Sequence, residues 1–250
     1  MSAQAAGQRR QAALDVALKR FPIGGLEVEL ETGPEVFYPT STSREIANVV
    51  DIQPQDSVLD IGCGVGILAI YAALKGAGSV YATDVMPEAC RLTAANAHRN
   101  QVDDRVQVVC GNLFDPLPPV RFDVIIDDVS GIADEVARLS GWFPEPVPTG
   151  GYDGTDHVVQ MLGRVREFLT ETGALYLPVS SLSNVGRILS AAREIFGDNI
   201  EPLTVINFPF GPELREHMDR LSVLRDEGVI DFVTRKSRHF WSLQIYKAWL

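Results

Sequence analysis

The feature that most constrains this chain is a strand-like apolar run that leads directly into a glycine-rich turn. Residues 58–61 read Val-Leu-Asp-Ile, residues 62–66 read Gly-Cys-Gly-Val-Gly, and an apolar run with helical character follows. Glycine has no Cβ, so its backbone can turn sharply and approach a ligand closely. A strand, a glycine turn and a helix in this order predict an α/β fold that binds a ligand at the turn.

The glycine spacing and two nearby acids indicate the kind of ligand. Gly62, Gly64 and Gly66 follow the pattern G-x-G-x-G. A dinucleotide-binding turn has G-x-G-x-x-G instead, which disfavours a nucleotide-dependent oxidoreductase. Asp60 lies just before the turn, and Asp84 ends the next predicted strand. Because an acid at that second position commonly holds the hydroxyls of a ribose, the pattern predicts a ribose-containing ligand.

Short β-rich runs alternate with longer helical runs, which predicts an α/β fold with a doubly wound, mostly parallel sheet. The predicted strands are Ser57–Ile61, Ser79–Asp84, Val106–Cys110, Phe122–Asp127, Ala174–Val179, Leu203–Phe208 and an antiparallel Phe240–Trp249. The predicted helices are Gly66–Lys75, Pro87–Asn100, Ile132–Leu139, Asp156–Thr170, Ser183–Phe196 and Pro212–Gly228. Near the N-terminus we expect a helix over Gln8–Arg20 and a strand over Leu26–Leu30.

The segment VLDIGCGVGILAIYAALKGAGSVYATDVMPEAC resembles the first two motifs of class I S-adenosylmethionine (SAM)-dependent methyltransferases. The resemblance implies SAM as the cofactor and a Rossmann-like fold with a seven-stranded sheet whose last strand is antiparallel. It implies a methyltransferase domain over residues 46–250, preceded by an N-terminal helical extension, residues 1–45, that covers the active site. The cofactor-binding residues that it implies are Asp60 at the methionine amino group, Gly62, Gly64 and Gly66 along the methionine, Asp84 at the ribose, and Asn112 and Leu113 at the adenine.

Two flanking segments are similar to those of the release-factor glutamine methyltransferases and their relatives. They are residues 35–43, EVFYPTSTS, and residues 150–154, GGYDG. That group carries N-P-P-Y after the fourth strand, where it holds a planar amide or a base amine. This chain has Asp-Asp-Val-Ser at residues 127–130 instead. The difference argues against a planar amide or an adenine held in the same way.

Asp127 and Asp128 are the predicted catalytic residues. They follow the fourth predicted strand, where open α/β sheets bind their ligands. A carboxylate there could hydrogen-bond an amine or a guanidine, or act as a general base. In the structural alternative Asp127 caps the next helix and Asp128 is solvated. A metal site is disfavoured, because no acid follows the fifth strand and two adjacent aspartates alone make a poor octahedral site.

The long irregular stretch Gly141–Gly154 is the predicted substrate lid, since loops of this length in a compact domain are usually functional. The predicted substrate-binding residues are Tyr38, Trp142, Tyr152 and His157, the last as a candidate base. In the alternative, the aromatic residues of the loop only pack it down. The N-terminal extension could cover the site or form a contact in a homodimer.

Charge and cysteine content limit the partners and the setting. The chain has 22 Lys and Arg against 33 Asp and Glu, a net charge of −11, which disfavours nucleic acid as a partner. No apolar run reaches the length of a membrane span. The three cysteines are far apart and odd in number, which indicates neither a disulfide framework nor a zinc site, so Cys90 and Cys110 are expected in the core. A reduced, cytoplasmic setting is expected.

These observations favour one function and leave two alternatives. The expected function is methyl transfer from SAM to nitrogen or oxygen of a small metabolite or a natural-product intermediate, in biosynthesis. The first alternative is a protein methyltransferase of the glutamine or arginine type. The second is a non-catalytic SAM-binding partner protein.

Overall fold

The computed structural model describes residues 17–250, which divide into two compact units. The first unit contains the residues up to Asn48, Ile52–Pro116 and Pro144–Val147. The second contains Val49–Asp51, Leu117–Phe143 and Pro148–Leu250. The predicted boundary after residue 45, and the covering role of the extension before it, stay predictions.

The first unit contains the glycine turn. Its elements are β1 (Ala17–Ile23), β2 (Leu26–Thr32), α1 (Ser41–Val49), β3 (Ser57–Ile61), α2 (Ile67–Leu74), β4 (Ser79–Asp84), α3 (Pro87–Arg99) and β5 (Val106–Cys110). The parallel strands lie in the order β5-β4-β3, and β3 pairs with β4 from Ser57 opposite Ser79 to Ile61 opposite Thr83. Because the three strands are parallel, their carboxyl ends meet at one edge, where such sheets bind ligands.

An antiparallel hairpin, β1-β2, replaces the end of the predicted N-terminal helix. Residues 17–20, expected to be helical, form the first part of β1, and residues 8–16 lie outside the described residues. Gly24 and Gly25 connect the strands with φ of +52° and +79°. Two positive φ values in a two-residue loop are typical of tight hairpin turns. Cross-strand pairing therefore determines the structure here, rather than local helical patterning.

Two asparagine side chains join α3 to the outer edge of β2. Asn100 accepts the N–H of Glu29 at 3.0 Å and donates to its carbonyl at 2.7 Å. Asn96 binds Glu31 in the same way, at 2.7 and 3.0 Å. The match is geometric, because four helical residues rise about 6 Å and two strand residues span about 6.7 Å. The pair takes the place of a third strand along this part of β2.

The second unit contains the strands and helices of the C-terminal half. Its elements are β6 (Phe122–Asp127), α4 (Asp134–Ser140), α5 (Asp156–Phe168), β7 (Leu169–Ser180), α6 (Val185–Phe196), β8 (Ile200–Pro209), α7 (Pro212–Arg215), α8 (Met218–Asp226), β9 (Val233–Arg235) and β10 (Arg238–Trp249). β6 and β7 are parallel, and β10 runs antiparallel to β7, β8 and β9. The predicted fold class, α/β and Rossmann-like with mostly parallel strands and an antiparallel last strand, is confirmed.

A disulfide between Cys90 and Cys110 contradicts the expectation that these cysteines are unpaired core residues. Cys90 lies on α3 and is half-buried, and Cys110 ends β5 and is exposed. Their Cα atoms are 5.9 Å apart although 20 residues separate them in sequence. The pairing depends on how α3 packs against β5, which cysteine count and spacing alone do not reveal. Cys63 is free and buried.

Candidate functional site

The glycine turn after β3 has the backbone conformation that its sequence requires. Gly62, Gly64 and Gly66 have φ of +76°, +54° and +85°, a region that residues with a Cβ rarely adopt. A Cβ added to Gly66 would lie 2.7 Å from the Cγ2 atom of Thr93. Asp60, buried at the end of β3, accepts the N–H of Ala69 at 2.9 Å and so joins the strand to α2. The turn is thus a fixed backbone loop, and the contact of its glycines with the methionine part of SAM stays a prediction.

Two buried polar side chains of α3, which were not predicted from the sequence, hold this turn by hydrogen bonds. The hydroxyl of Thr93 donates to the carbonyl of Gly64 at 3.0 Å. The amide of Asn96 donates to the carbonyl of Val65 at 2.9 Å, in addition to its bonds with β2. Thr93, Asn96 and Asn100 recur at helical spacing on one face of α3, a signal that could have identified them.

Asp84 lies at the end of β4 with its carboxylate beside the glycine turn. It accepts the N–H of Gly64 at 2.9 Å and that of Met86 at 2.8 Å. Burial raises the pKa of Asp84, although these backbone donors favour the charged form. The structure therefore brings Asp84 to the turn, as the sequence predicts. Its role toward a ribose stays a prediction.

The turn after β5 lies beside Asp84, because β5 pairs with β4. Gly111 donates its N–H to the carbonyl of Asp84 at 2.9 Å, and Asn112 and Leu113 follow, with Leu113 at φ +48°. Val85, directly after Asp84, is a large apolar residue that is 50% exposed. An exposed apolar side chain next to the acid that is predicted to hold the ribose offers a surface for a flat base. Its position after the acid is the signal that the sequence analysis overlooked.

These residues fit SAM as the cofactor. The first unit places a glycine turn, the acid Asp84 and an exposed apolar side chain at the carboxyl ends of three adjacent strands. The acid suits the ribose hydroxyls, Val85 suits the adenine, and glycines without a Cβ suit a chain such as methionine that passes close to the backbone.

A cleft of about 230 Å³ borders the start of α2 in the first unit. It is lined by Phe21, Pro22, Ile23, Pro39, Thr40, Ser41, Arg44 and Ile67. Tyr38 directly precedes Pro39 in the chain. Its ring lies 5.4 Å from that of Phe21, and the Nζ of Lys19 lies 4.9 Å above it. Tyr38 is thus packed on the hairpin and 37% exposed, and its predicted contact with substrate stays a prediction.

Asp127 is an ionisable side chain of the second unit that is almost completely buried. It ends β6 with 1% exposure, and neither carboxylate oxygen has a hydrogen-bond partner within the described residues. Burial raises the pKa of Asp127 well above its usual value, and the charge of Asp128 adds to this, while the nearby backbone N–H of Val129 opposes it. An ionisable group that is buried and left without partners is a candidate for binding or catalysis. Asp128 is half-buried beside it.

The glycine-rich segment, residues 150–154, is bound tightly to the loop that follows Asp127. Gly150 donates its N–H to Ile132, and Asp134 donates its N–H to Gly151. A Cβ on Gly154 would lie 2.7 Å from the backbone nitrogen of Ala133. This close backbone contact explains the glycines by packing. The lid role of the stretch before them stays a prediction.

The remaining predicted substrate residues lie in the second unit and differ in their surroundings. The ring of Trp142 lies 5.8 Å from that of Trp241, so it packs on the protein while staying 37% exposed. Tyr152 is 64% exposed and donates to Glu227 at 3.2 Å. His157 is half-buried, and its Nε2 has no hydrogen-bond partner among residues 17–250. Their roles stay predictions.

Residues 17–250 contain neither a candidate metal cluster nor a candidate membrane span. In this part of the chain no group of three or more His, Cys, Asp or Glu side chains is arranged to hold a metal ion. No helix that the structure describes is long and apolar enough to cross a bilayer.

The sequence is similar to known methyltransferases. The family model for ribosomal protein L11 methyltransferase (PrmA) matches residues 41–157. A ribosomal protein L11 methyltransferase of Pelotomaculum thermopropionicum is 45% identical over 89 residues, 36% of this chain and 28% of that protein. A Methanocaldococcus jannaschii protein described as a "putative protein N5-glutamine methyltransferase" is 26% identical over 184 residues, 73% of this chain and 91% of that protein. This chain thus spans less than a third of the length of the first relative.

The fold is also found in solved structures. The ribosomal protein L11 methylase of Lactobacillus delbrueckii subsp. bulgaricus superposes with a TM-score of 0.51 at 18% identity, over 85% of this chain and 82% of that chain. At this identity the likeness concerns the fold.

Proposed function

We propose that this chain, a member of the class I SAM-dependent methyltransferases, transfers the methyl group of SAM to an amine nitrogen of a protein substrate. The observation that carries the proposal is Asp127, a buried carboxylate without hydrogen-bond partners within the described residues, at the end of β6. Such a group favours an acceptor that brings its own N–H donors and positive charge.

The chemistry of an amine acceptor matches what Asp127 offers. SAM, when bound, supplies a methyl group on a positively charged sulfur. A protonated amine has no lone pair to attack with, so it must first lose a proton. The raised pKa of Asp127 makes it a stronger base than an exposed aspartate, and its hydrogen bond would orient the amine. Asp127 thus serves as general base and as a positioning group.

The kind of acceptor follows from two lines of support. The similar sequences include methyltransferases named for ribosomal protein L11, for a release factor and for protein glutamine. They favour the protein alternative over the small metabolite that the sequence alone suggested. The chain has Asp127 and Asp128 where a glutamine-methylating relative would have N-P-P-Y. A carboxylate pair suits an amine better than a neutral amide, which needs both a donor and an acceptor.

The proposal is tested by mass spectrometry of peptides incubated with the full chain and SAM. The panel contains peptides with an acceptor lysine, arginine, glutamine or free N-terminal amine, together with free lysine and small amines. We expect methylation of an amine-bearing peptide. Methylation of free small amines alone would contradict a protein acceptor, and methylation of the glutamine peptide alone would contradict the amine.

Substitutions separate catalysis from cofactor binding. Asp127→Asn should lower turnover by about 100-fold or more and leave the affinity for S-adenosylhomocysteine, the demethylated product of SAM, unchanged. The matched control is Asp226→Asn, which removes one charge from an exposed acid on α8 and should change neither quantity. Full turnover in Asp127→Asn would refute the role of this carboxylate.

A further inference from the structure

The disulfide between Cys90 and Cys110 lies at the predicted adenosine end of the cofactor site. Cys90 belongs to the first turn of α3, and Cys110 is the last residue of β5. The register of the sheet puts Cys110 opposite Asp84. The Sγ atom of Cys90 lies 3.3 Å from the carbonyl oxygen of Asp84, and the same oxygen accepts the N–H of Gly111 at 2.9 Å. The disulfide and the residue that follows Cys110 therefore both contact the backbone carbonyl of Asp84.

The disulfide lies directly before residues 111–113 in the chain and restrains the start of that segment. Residues 111–113 begin immediately after Cys110, and they carry the predicted adenine contacts. With the bond closed, the start of this turn is attached covalently to α3, the helix that also supports the glycine turn through Thr93. With the bond open, the Gly111 hydrogen bond still joins the turn to Asp84, but the covalent attachment is gone.

The disulfide between Cys90 and Cys110 and the free thiol of Cys63 differ in how readily they react. Cys110 is exposed and Cys90 half-buried, so a thiol in solution can reach the bond. Exposed disulfides are the ones most open to exchange. Cys63 is buried, and burial, followed by the charges of Asp60 and Asp84, raises the pKa of its thiol well above the usual value. A thiol kept protonated in this way reacts slowly.

We propose that Cys90 and Cys110 form a reversible redox modification site that sets how tightly the adenosine end of the cofactor is held. The disulfide form holds residues 111–113 in place before the cofactor arrives. The dithiol form leaves them to be ordered on binding, and ordering a segment weakens affinity. The inference rests on the proposed function only in requiring that SAM and its product bind this unit.

Thiol and disulfide reagents can open and close this bond with electrons and protons balanced. A dithiol such as dithiothreitol attacks the S–S bond, passes two electrons and two protons to Cys90 and Cys110, and becomes a cyclic disulfide. A low-molecular-weight disulfide such as oxidised glutathione reverses the step, accepts the two electrons and two protons, and leaves as two thiols. In the dithiol form the thiol of Cys90 can donate a hydrogen bond to the carbonyl of Asp84, 3.3 Å away.

Calorimetric titration of the full chain with S-adenosylhomocysteine tests the proposal. The protein is compared after treatment with oxidised glutathione and after dithiothreitol, with each state verified by thiol alkylation and mass spectrometry. We expect the dithiol form to bind about 2- to 10-fold more weakly, as expected when a few groups must be ordered on binding. A double variant, Cys90→Ser with Cys110→Ser, should bind like the reduced protein and should not respond to either reagent.

The outcomes separate this inference from the proposed function. Equal affinity in both verified states overturns the switch and leaves methyl transfer standing. Absence of binding in both states contradicts the cofactor assignment instead. A double variant that still responds to the reagents assigns the effect to Cys63 and overturns the pair. If the double variant does not fold, the comparison of the two states of the native sequence still decides the matter.

Discussion

Replacing Asp127 by asparagine is expected to stabilise this protein, and the gain should grow with pH. The side chain is 1% exposed and its carboxylate has no hydrogen-bond partner among residues 17–250, so the folded state disfavours its charge. Burial, the largest cause, raises the pKa of Asp127 well above the ordinary value of 3.8. An acid with a raised pKa binds its proton more tightly in the folded state than in the unfolded state. Its presence therefore costs stability as pH rises above the unfolded pKa.

The magnitude follows from proton linkage. Each pH unit between the unfolded and the folded pKa costs the native protein about 1.4 kcal/mol relative to a variant that does not titrate. Between about pH 4 and about pH 7 the difference therefore grows by this amount for each pH unit that lies below the folded pKa, and it stops growing above that pKa. The amide also lacks partners, at a cost of about 1–3 kcal/mol, but this cost does not change with pH.

Urea unfolding of the native protein and of Asp127→Asn over this pH range measures the difference. We expect nearly equal free energies of unfolding near pH 4 and a more stable variant at neutral pH, together with the lost turnover described above. Asp226→Asn, on the exposed surface of α8, should stay within about 0.5 kcal/mol of the native protein at every pH. A difference that does not change with pH would refute the claim that Asp127 is a buried, unpartnered carboxylate.

Three further changes test the first unit. Asp84→Ala should weaken S-adenosylhomocysteine binding by about 100-fold or more in calorimetry, because it removes the predicted acceptor for the ribose hydroxyls, and unchanged affinity would contradict that role. Gly66→Ala should lower the free energy of unfolding by about 2–4 kcal/mol, because the residue has φ +85° and its Cβ would meet Thr93. The control is Gly25→Ala, which has φ +79° but lies in open space and should cost only about 1–2 kcal/mol. Equal losses would show that contact with Thr93 is unimportant. Asn96→Ala should cost about 2–4 kcal/mol in thermal unfolding, since it leaves three backbone groups without their partner, and a loss below about 1 kcal/mol would contradict this account.

Local sequence pattern predicted four of the parallel strands well. The structure confirms the predicted bounds of Ser57–Ile61, Ser79–Asp84, Val106–Cys110 and Phe122–Asp127. These strands are short apolar runs with turn residues at their ends, so burial and chain direction are both visible in the sequence. The glycine turn was equally clear, because its positive φ values require glycine.

Features that depend on contacts distant in sequence were missed. The disulfide joins residues 20 apart, and its formation depends on the packing of α3 beside β5. The hairpin β1-β2 had a local signal in Gly24 and Gly25, but the helix-like composition before it suggested otherwise. The isolation of Asp127 could not be predicted either, since a missing hydrogen bond depends on every neighbour of the group. Its location at the end of a strand could be predicted from the sequence, whereas its environment depends on the fold.

The asparagine pair on α3 has a consequence for the chain in solution. A two-stranded hairpin has two open edges, and each open edge can capture a strand of another molecule. Asn96 and Asn100 occupy the outward-facing backbone groups of Glu29 and Glu31, so β2 cannot use those groups to pair with a foreign strand. The two side chains therefore oppose edge-to-edge aggregation along this part of β2, in addition to joining the hairpin to α3.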